Sequence, residues 1–174
     1  GAPLRTVSDV DWRIAGVGDF DSDTRADLVW RDQSTGENAL WLMRGTTVKG
    51  SASLWAVTDV TWRIVGVGDF NADTKPDILW RRQSTGEIAV WLMNGTTPTG
   101  GASLGGVPEA SWRIVGVGDF DGDGKPDIVW RNQSTGANVV WFMDGATGMG
   151  GVWLWTVPDP NWELAGVGDF SADG

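Results

Sequence analysis

A 50-residue pattern is written three and a half times along this chain of 174 residues, and it constrains the fold more than any other feature. Trp-Arg-Ile at 12–14 recurs at 62–64 and 112–114, and as Trp-Glu-Leu at 162–164. Gly-Val-Gly-Asp-Phe begins at positions 16, 66, 116 and 166, and Gln-Ser-Thr-Gly at 33, 83 and 133. Because the spacing never drifts, each repeat is expected to form one structural unit that stacks on its neighbours.

The signals inside each repeat are those of β-strands. Around the second repeat, runs rich in Val, Ile, Leu and Trp at 53–57, 62–67, 77–81 and 88–93 are bounded by Gly, Asp, Asn, Ser and Thr, which is typical of strands and tight turns. No stretch places apolar residues at helical spacing over the length of a helix. We therefore expect an all-β protein, a β-propeller whose four-stranded blades cover their faces by stacking. A β-solenoid is the alternative, although its coils usually repeat faster.

The repeat boundaries define a single repeat domain over residues 1–174. Residues 1–7 align with 51–57, which predicts an orphan outer strand within 1–11. Three blades follow at 12–61, 62–111 and 112–161, and an orphan inner strand with part of a further loop occupies 162–174. Propellers close with about four to eight blades. The chain is therefore expected to be an excerpt of a longer propeller or to form a homo-oligomer that completes a ring, and the sequence leaves both open.

Composition removes most familiar chemistries. The chain has no His and no Cys, so it cannot form a Ser-His-Asp triad, a His or Cys metal site, or a disulfide. A formal net charge of −10 argues against nucleic acid and anionic membranes as partners, because both need a basic face. The longest apolar run, at 88–93, is far below the roughly 20 residues that span a bilayer, so no membrane insertion is expected.

Closely spaced oxygen ligands lie between the first and second strands of every repeat. Alternate residues of a curling loop can turn toward one centre, with the carbonyl oxygen of the seventh residue and a carboxylate at the ninth, as in oxygen-rich Ca²⁺ loops. Turn and capping roles for Asp and Asn are the alternative. The predicted calcium ligands are Asp19, Asp21, Asp23, Arg25 and Asp27 in loop 1, Asp69, Asn71, Asp73, Lys75 and Asp77 in loop 2, Asp119, Asp121, Asp123, Lys125 and Asp127 in loop 3, and Asp169, Ser171 and Asp173 in the partial loop 4.

The loops differ at two positions that bear on affinity. Loops 1 and 2 have Thr24 and Thr74 where loop 3 has Gly124, and β-branched residues resist a positive φ. Loop 2 also has the neutral Asn71 in place of a carboxylate. We expect loop 3 to bind calcium most tightly, loop 2 more weakly, and loop 4 most weakly.

The run Gly-Asp-Phe-Asp-Gly-Asp-Gly-Lys-Pro-Asp at 118–127 resembles the FG-GAP or VCBS repeat family, which includes the calcium-bearing propeller of integrin α-subunits and the propeller lectins of the PVL type. The resemblance extends over all 174 residues and implies a propeller with calcium in the loops at 19–27, 69–77 and 119–127. The Trp-Arg pairs at 12–13, 62–63 and 112–113 resemble a Gly-Trp-Arg segment of the PVL-type lectins, although the His-Pro-Arg stretch that follows there is absent here.

Thirteen Trp residues supply candidate ligand platforms, because an indole face stacks on a sugar ring and the indole N–H can donate a hydrogen bond. Those in the second and third strands are expected at the blade interfaces: Trp30, Trp41, Trp80, Trp91, Trp130 and Trp141. The residues that open the first strands are candidate ligand-binding residues, with a Trp plug at the central end of each blade as the alternative role: Trp12, Arg13, Trp62, Arg63, Trp112, Arg113 and Trp162.

Together these features predict a calcium-stabilised, non-catalytic binding module that recognises carbohydrate through sites repeated in each blade. An adhesion or scaffold propeller that binds protein, with calcium purely structural, is the alternative. A catalytic carboxylate pair is normally a single asymmetric feature of a chain, whereas these Asp residues recur in every repeat, so no enzyme is expected. Calcium also favours an extracellular location, where millimolar ion fills sites of modest affinity.

Overall fold

Twelve β-strands in three antiparallel sheets of four make up the fold, in a computed structural model that describes residues 8–159 and 161–168. Each sheet is a meander whose spatial order follows the chain. The first sheet contains β1 (Trp12–Gly18), β2 (Asp27–Asp32), β3 (Asn38–Arg44) and β4 (Thr47–Leu54). The second contains β5 (Trp62–Gly68), β6 (Asp77–Arg82), β7 (Glu87–Asn94) and β8 (Thr97–Gly106), and the third β9 (Trp112–Gly118), β10 (Asp127–Asn132), β11 (Asn138–Asp144) and β12 (Thr147–Leu154).

These sheets are the blades that the 50-residue period predicts, and their arrangement is that of part of a β-propeller. The inner strand of the second blade, β5, lies against both β1 and β9, so the three inner strands stand side by side and each sheet faces the next. No helix occurs among the described residues, and accordingly none that could cross a bilayer. The orphan outer strand predicted from residues 1–7 lies outside the described part of the chain.

The bounds of one predicted strand need correction. The fourth strand, expected at 53–57, runs over Thr47–Leu54 and ends before Trp55, because a tight turn at Gly45, with φ of +61°, returns the chain at once from β3. Its exposed residues are Thr47, Lys49, Ser51 and Ser53, so a search for apolar runs overlooks it. Residues 162–168, predicted as an orphan inner strand, have no hydrogen-bonded neighbouring strand within the described residues, and Val167 packs against Gly116 as Val117 packs against Gly66.

The second blade is covered on both faces, and its strand β6 is accordingly buried at five consecutive residues, Asp77 to Arg81. In β6, Ile78 and Trp80 pack into a core shared with the first blade, whereas Leu79 packs into a core shared with the third. Successive side chains of a strand point to opposite faces of the sheet, so one strand supplies both cores. We call the packing between blades 1 and 2 seam 1, and the packing between blades 2 and 3 seam 2.

Glycines on the inner strands set how closely the blades approach. A Cβ on Gly66 would lie 2.4 Å from Cγ2 of Val117 in the third blade, and a Cβ on Gly16 would lie 2.5 Å from Cγ2 of Val67 in the second. The valine of each Gly-Val-Gly motif therefore occupies the space that the glycine of the preceding blade leaves free. The Gly-Val-Gly motif therefore recurs because its glycine and its valine pack against each other across both seams.

A buried arginine on the second strand of each blade contributes to its seam. Arg31 donates to the carbonyl oxygens of Gly36 and Val57 and to Oδ1 of Asn38. Its guanidinium also lies 5.0 Å from the ring centroid of Trp80 across seam 1. Burial, together with the nearby charge of Arg63, lowers the pKa of Arg31 to about 10, which leaves it charged at neutral pH.

Arg81 has the same position at seam 2 but fewer partners. Its guanidinium lies 5.6 Å from the ring centroid of Trp130 and donates to the carbonyl oxygen of Val107. Ile88 stands where the other blades have Asn, and Nε and Nη1 of Arg81 are buried without a hydrogen-bond partner in the described structure. The two seams therefore have the same plan and different polar contacts.

This difference predicts unequal costs for the same substitution at the two seams. Arg31→Met should lower the free energy of unfolding by about 2 kcal/mol more than Arg81→Met, because it removes three hydrogen bonds from a charged donor and Arg81→Met removes one. Urea unfolding followed by tryptophan fluorescence measures both variants under one set of conditions. Equal losses, or a larger loss at Arg81, would contradict this account of the seams.

Candidate functional site

The acidic loops leave the inner strands and return into the second strands of the blades. In loop 3, Oδ1 and Oδ2 of Asp119 accept the backbone N–H groups of Gly122 and Gly124, each at 2.8 Å. These bonds curl the loop. Single carboxylate oxygens of Asp119, Asp121 and Asp127 then lie within 4.8 Å of one another. In loop 1 the corresponding residues, Asp19, Asp21 and Asp27, converge in the same way.

The last aspartate of each loop also has a structural role. Oδ2 and Oδ1 of Asp127 accept the backbone N–H groups of Phe120 and Met143, each at 2.9 Å, and Asp27 and Asp77 make the same pair of bonds in their blades. Burial, with a smaller contribution from the neighbouring loop carboxylates, raises the pKa of all three carboxyls, that of Asp77 to about 6. Ionising these groups therefore works against folding unless positive charge lies beside them.

Loop 1 already has one cation beside it. Nζ of Lys49, on β4, lies 2.7 Å from Oδ2 of Asp21 and also contacts Oδ2 of Asp23. These bonds raise the pKa of Lys49, and the bond to Lys49 lowers that of Asp23. Oδ1 of Asp21 is nevertheless buried and has no hydrogen-bond partner among the described residues. Oδ1 of Asp21 therefore lacks the hydrogen-bond donor or cation that would stabilise a buried carboxylate oxygen.

Loops 1 and 3 fit a hard divalent cation by the chemistry of their donors. The converging atoms are all carboxylate oxygens, which are ligands that Ca²⁺ prefers. The aspartate at the fifth position of each loop accepts a hydrogen bond from the backbone N–H two residues later. These pairs are Asp23 with Arg25, Asp73 with Lys75, and Asp123 with Lys125. In loop 2, Nδ2 of Asn71 donates to Oδ2 of Asp73 at 3.3 Å. The predicted ligands Asp169, Ser171 and Asp173 of loop 4 lie outside the described residues.

Left-handed backbone occurs at the fourth and sixth positions of all three loops. The φ angles are +58° at Ser22, +67° at Thr24, +58° at Ala72 and +71° at Thr74, whereas loop 3 has glycine at both positions, Gly122 and Gly124. Residues with a Cβ pay a steric penalty in this conformation, and β-branched residues most of all. Loops 1 and 2 therefore hold strain that loop 3 lacks, while the order of calcium affinities stays a prediction.

Relieving this strain should stabilise the chain. Thr74→Gly should raise the free energy of unfolding by about 1 kcal/mol, because the left-handed penalty removed exceeds the backbone entropy that glycine adds. Thr58→Gly is the matched control, since Thr58 is exposed and does not have a positive φ, and it should destabilise slightly. Thermal melts in EGTA compare the two variants without any contribution from calcium. Equal destabilisation by both would contradict the strain argument.

A cavity of 330 Å³ opens at seam 2, on the outer side of the buried core. Two indole pairs form its walls: Trp130 with Trp141, at 5.0 Å between ring centroids, and Trp112 with Trp153, at 6.1 Å. The lining has no charged side chain. Trp153 is 69% exposed, so one wall of the cavity is open to solvent. The residues that line this cavity are Val107, Trp112, Trp130, Val139, Trp141, Gly151 and Trp153.

The other predicted ligand residues are placed differently from one another. Trp12 lines a 170 Å³ cavity on the first blade with Trp30, Ala39 and Trp41. Trp62 packs against the core of seam 1. Trp162 is 66% exposed and lines a 290 Å³ cavity beside the third blade.

The arginines of the Trp-Arg pairs are not part of these cavities. Nη1 of Arg13, Arg63 and Arg113 donates to the carbonyl oxygen three residues earlier, at Val10, Val60 and Ala110. These bonds hold the turn that precedes each inner strand. The structure thus brings Trp112 into a cavity and assigns its neighbour Arg113 to a turn.

Of the six tryptophans predicted at the blade interfaces, Trp80, Trp91, Trp130 and Trp141 lie there, whereas Trp30 and Trp41 are half-buried and line the cavity on the first blade, on a face that no described blade covers. Trp80 and Trp130 are buried at seams 1 and 2, and Trp91 and Trp141 pack partly buried against the same cores. The indole N–H groups of Trp30, Trp80 and Trp130 have no hydrogen-bond partner within the described structure. The cavity wall at Trp153 was not predicted. In the sequence, Trp153 differs from the earlier repeats only in that Ser53 and Ser103 occupy the same position there.

Comparison with known protein families agrees with the repeat period and the loops. A model of the FG-GAP-like repeat matches residues 19–80 and 69–130, and a model of the FG-GAP repeat matches residues 111–155. A search of curated proteins found no significant match. The matched segments contain loops 1 to 3 and the strands that hold them. With more than half of its length matched in this way, the chain belongs to the FG-GAP repeat family.

Proposed function

We propose that this chain is a calcium-stabilised, non-catalytic binding module that recognises carbohydrate in an extracellular setting. The observation that carries the proposal is the cavity at seam 2, where four indoles surround a space of 330 Å³ without any charged side chain. Its volume lies at the lower end of the range of small-molecule sites. The cavity therefore suits one small neutral ligand.

Sugar rings match this lining in two respects. A pyranose has an apolar C–H face that stacks on an indole, and hydroxyl oxygens on its rim that accept hydrogen bonds from indole N–H groups. Trp130 contributes its ring to the cavity wall. The exposed ring of Trp153 supplies an open stacking face. Repetition of the fold would let several weak sites act together on a multivalent glycan.

Calcium is proposed as the structural ion of the loops. Asp19, Asp21 and Asp27 would hold it in loop 1, and Asp119, Asp121 and Asp127 in loop 3. The ion supplies positive charge next to carboxyls whose pKa burial raises and to the unpartnered Oδ1 of Asp21. Extracellular FG-GAP repeats meet millimolar calcium, which fills sites of about 10⁻⁴ to 10⁻³ M affinity. A catalytic role for these carboxylates is not proposed, since the same set recurs in successive blades.

A glycan array separates the proposed function from its alternative. The labelled chain should bind a subset of glycans, and Trp112→Ala should abolish that binding, because Trp112 is a wall of the cavity. Met149→Ala is the control, since Met149 is 66% exposed and lines none of the described cavities, and it should bind like the parent chain. A blank array with a folded chain would refute carbohydrate binding and favour an adhesion or scaffold role.

A further inference from the structure

We infer that the two described seams are unequal ligand sites: seam 2 is open to a neutral six-membered ring, and Trp55 closes seam 1. The inference rests on the proposed function for the identity of that ring as a pyranose. The sequence predicts one equivalent ligand site in every blade. We infer instead that residues at two positions of the repeat decide whether a seam has a site. The first position is Trp55 in blade 1 and Gly105 in blade 2, and the second is Ser103 in blade 2 and Trp153 in blade 3.

The first position decides whether the mouth of the seam is filled. Trp55 leaves the end of β4 and sets its ring edge-on against Trp91 of the next blade, with 5.9 Å between the ring centroids. At seam 2 the counterpart of Trp91 is Trp141, which lines the open cavity. The counterpart of Trp55 is Gly105, and a Cβ built on it would meet no atom within 4 Å. At seam 1 the indole of Trp55 fills this place, whereas at seam 2 Gly105 has no side chain to fill it.

A change in the backbone accompanies this exchange. Nδ2 of Asn38 donates to the carbonyl oxygen of Trp55 at 2.8 Å, which directs the chain out of the sheet after Leu54. Ile88 replaces that asparagine in blade 2 and has no side-chain donor. There β8 continues to Gly106, pairs Ile88 with Gly105 across a bulge, and holds Gly105 at a φ of +84°. The Gly at this position and the Ile opposite it therefore belong to one structural change.

The second position builds the opposite wall. Trp153 pairs with Val139 on β11 and lies 6.1 Å from Trp112. In blade 2 the equivalent residue is Ser103, paired with Ala89, which is too small to extend a wall. Seam 1 thus has Trp55 in its mouth and Ser103 on its wall, whereas seam 2 has Gly105 at its mouth and Trp153 on its wall. The uncharged lining of seam 2 selects a neutral ring.

Indole N–H resonances of the ¹⁵N-labelled chain test this inference, with methyl β-D-glucopyranoside, methyl β-D-galactopyranoside and cyclohexanol as probes. Trp→Phe variants assign the peaks. In the parent chain, cyclohexanol and at least one pyranoside should shift the peaks of Trp112, Trp141 and Trp153 and leave those of Trp55 and Trp91 in place. Trp153→Ser should weaken the response at seam 2 at least tenfold, whereas Trp155→Ser, the exposed control, should change it less than twofold.

Opening seam 1 is the converse arm. Trp55→Gly should make the Trp91 peak respond to cyclohexanol, and Trp55→Phe, which keeps a ring in the mouth, should not. A response of Trp91 in the parent chain equal to that of Trp141, or an unchanged response at seam 2 in Trp153→Ser, would overturn the inference. A response to cyclohexanol at seam 2 with none to either pyranoside would uphold the unequal seams and count against carbohydrate as the ligand.

Discussion

Replacing Gly86 by alanine should lower the free energy of unfolding by more than about 3 kcal/mol, which is above the range typical of overpacking substitutions. The added Cβ would lie 1.9 Å from the carbonyl oxygen of Val107. That contact is with backbone, which cannot rotate away as a side chain does. The same residue has a φ of +81°, and its own carbonyl oxygen accepts the N–H of Val107 at 3.0 Å. The substitution would therefore separate the hairpin turn of blade 2 from the segment that leads into blade 3.

Gly45→Ala is the control that separates this clash from backbone strain. Gly45 also has a positive φ, +61°, but nothing lies within 4 Å of a Cβ built on it. Its replacement should cost only the left-handed penalty, about 1 to 2 kcal/mol. Urea denaturation of the two variants gives the comparison. If Gly86→Ala costs no more than Gly45→Ala, the close approach of the hairpin turn to Val107 does not exist in solution.

Asp127→Asn is expected to have the second large effect, a loss of about 3 kcal/mol in EGTA, because an amide nitrogen would replace one of two buried acceptors. Both carboxylate oxygens of Asp127 accept backbone N–H groups, and the residue is 1% exposed. In the asparagine variant, the backbone N–H of Phe120 or of Met143 would face the side-chain amide N–H, which is a donor and not an acceptor. The effect is therefore present before any metal binds.

The control for this substitution is Asp121→Asn in the same loop. Asp121 is exposed, and Oδ1 accepts only the backbone N–H of Asp123, at 3.2 Å, so the variant should be within about 0.5 kcal/mol of the parent chain in EGTA. Unfolding curves with EGTA and with excess calcium separate the two roles. If the variants are equally stable in EGTA, Asp127 is a metal ligand without the structural role assigned here.

The repeat period and the turn residues were sufficient to predict the architecture. A constant spacing of 50 residues predicts identical units, and the Ser-Thr-Gly turns predict a positive φ, found at +81° for Gly86. The fourth strand was placed several residues late, because Lys49 and its polar neighbours in β4 give no apolar signal. Edge strands are stabilised by pairing with their neighbour, and single-sequence periodicity does not detect that.

The candidate site was predicted in part. Alternate Asp residues in the loops indicate convergence, and the structure confirms it for the first, third and ninth positions of loops 1 and 3. The two backbone bonds of Asp127 could not be foreseen, since Met143 lies 16 residues away on another strand. Burial of Arg31 was likewise not predicted, because a charged residue in a strand ordinarily reads as solvent-facing. The cavity depends on residues of two blades, which only tertiary packing brings together.

Calcium-dependent thermal stability tests the central claim most directly, namely that the acidic loops bind calcium and thereby stabilise the blades. Calorimetric melts of the chain in EGTA and in calcium at about 100 times the dissociation constant should differ by at least about 5 °C, with the higher Tm in calcium. Asp119→Asn, which removes a converging carboxylate of loop 3, should reduce that difference. An identical Tm in EGTA and at that saturating calcium concentration would contradict the claim.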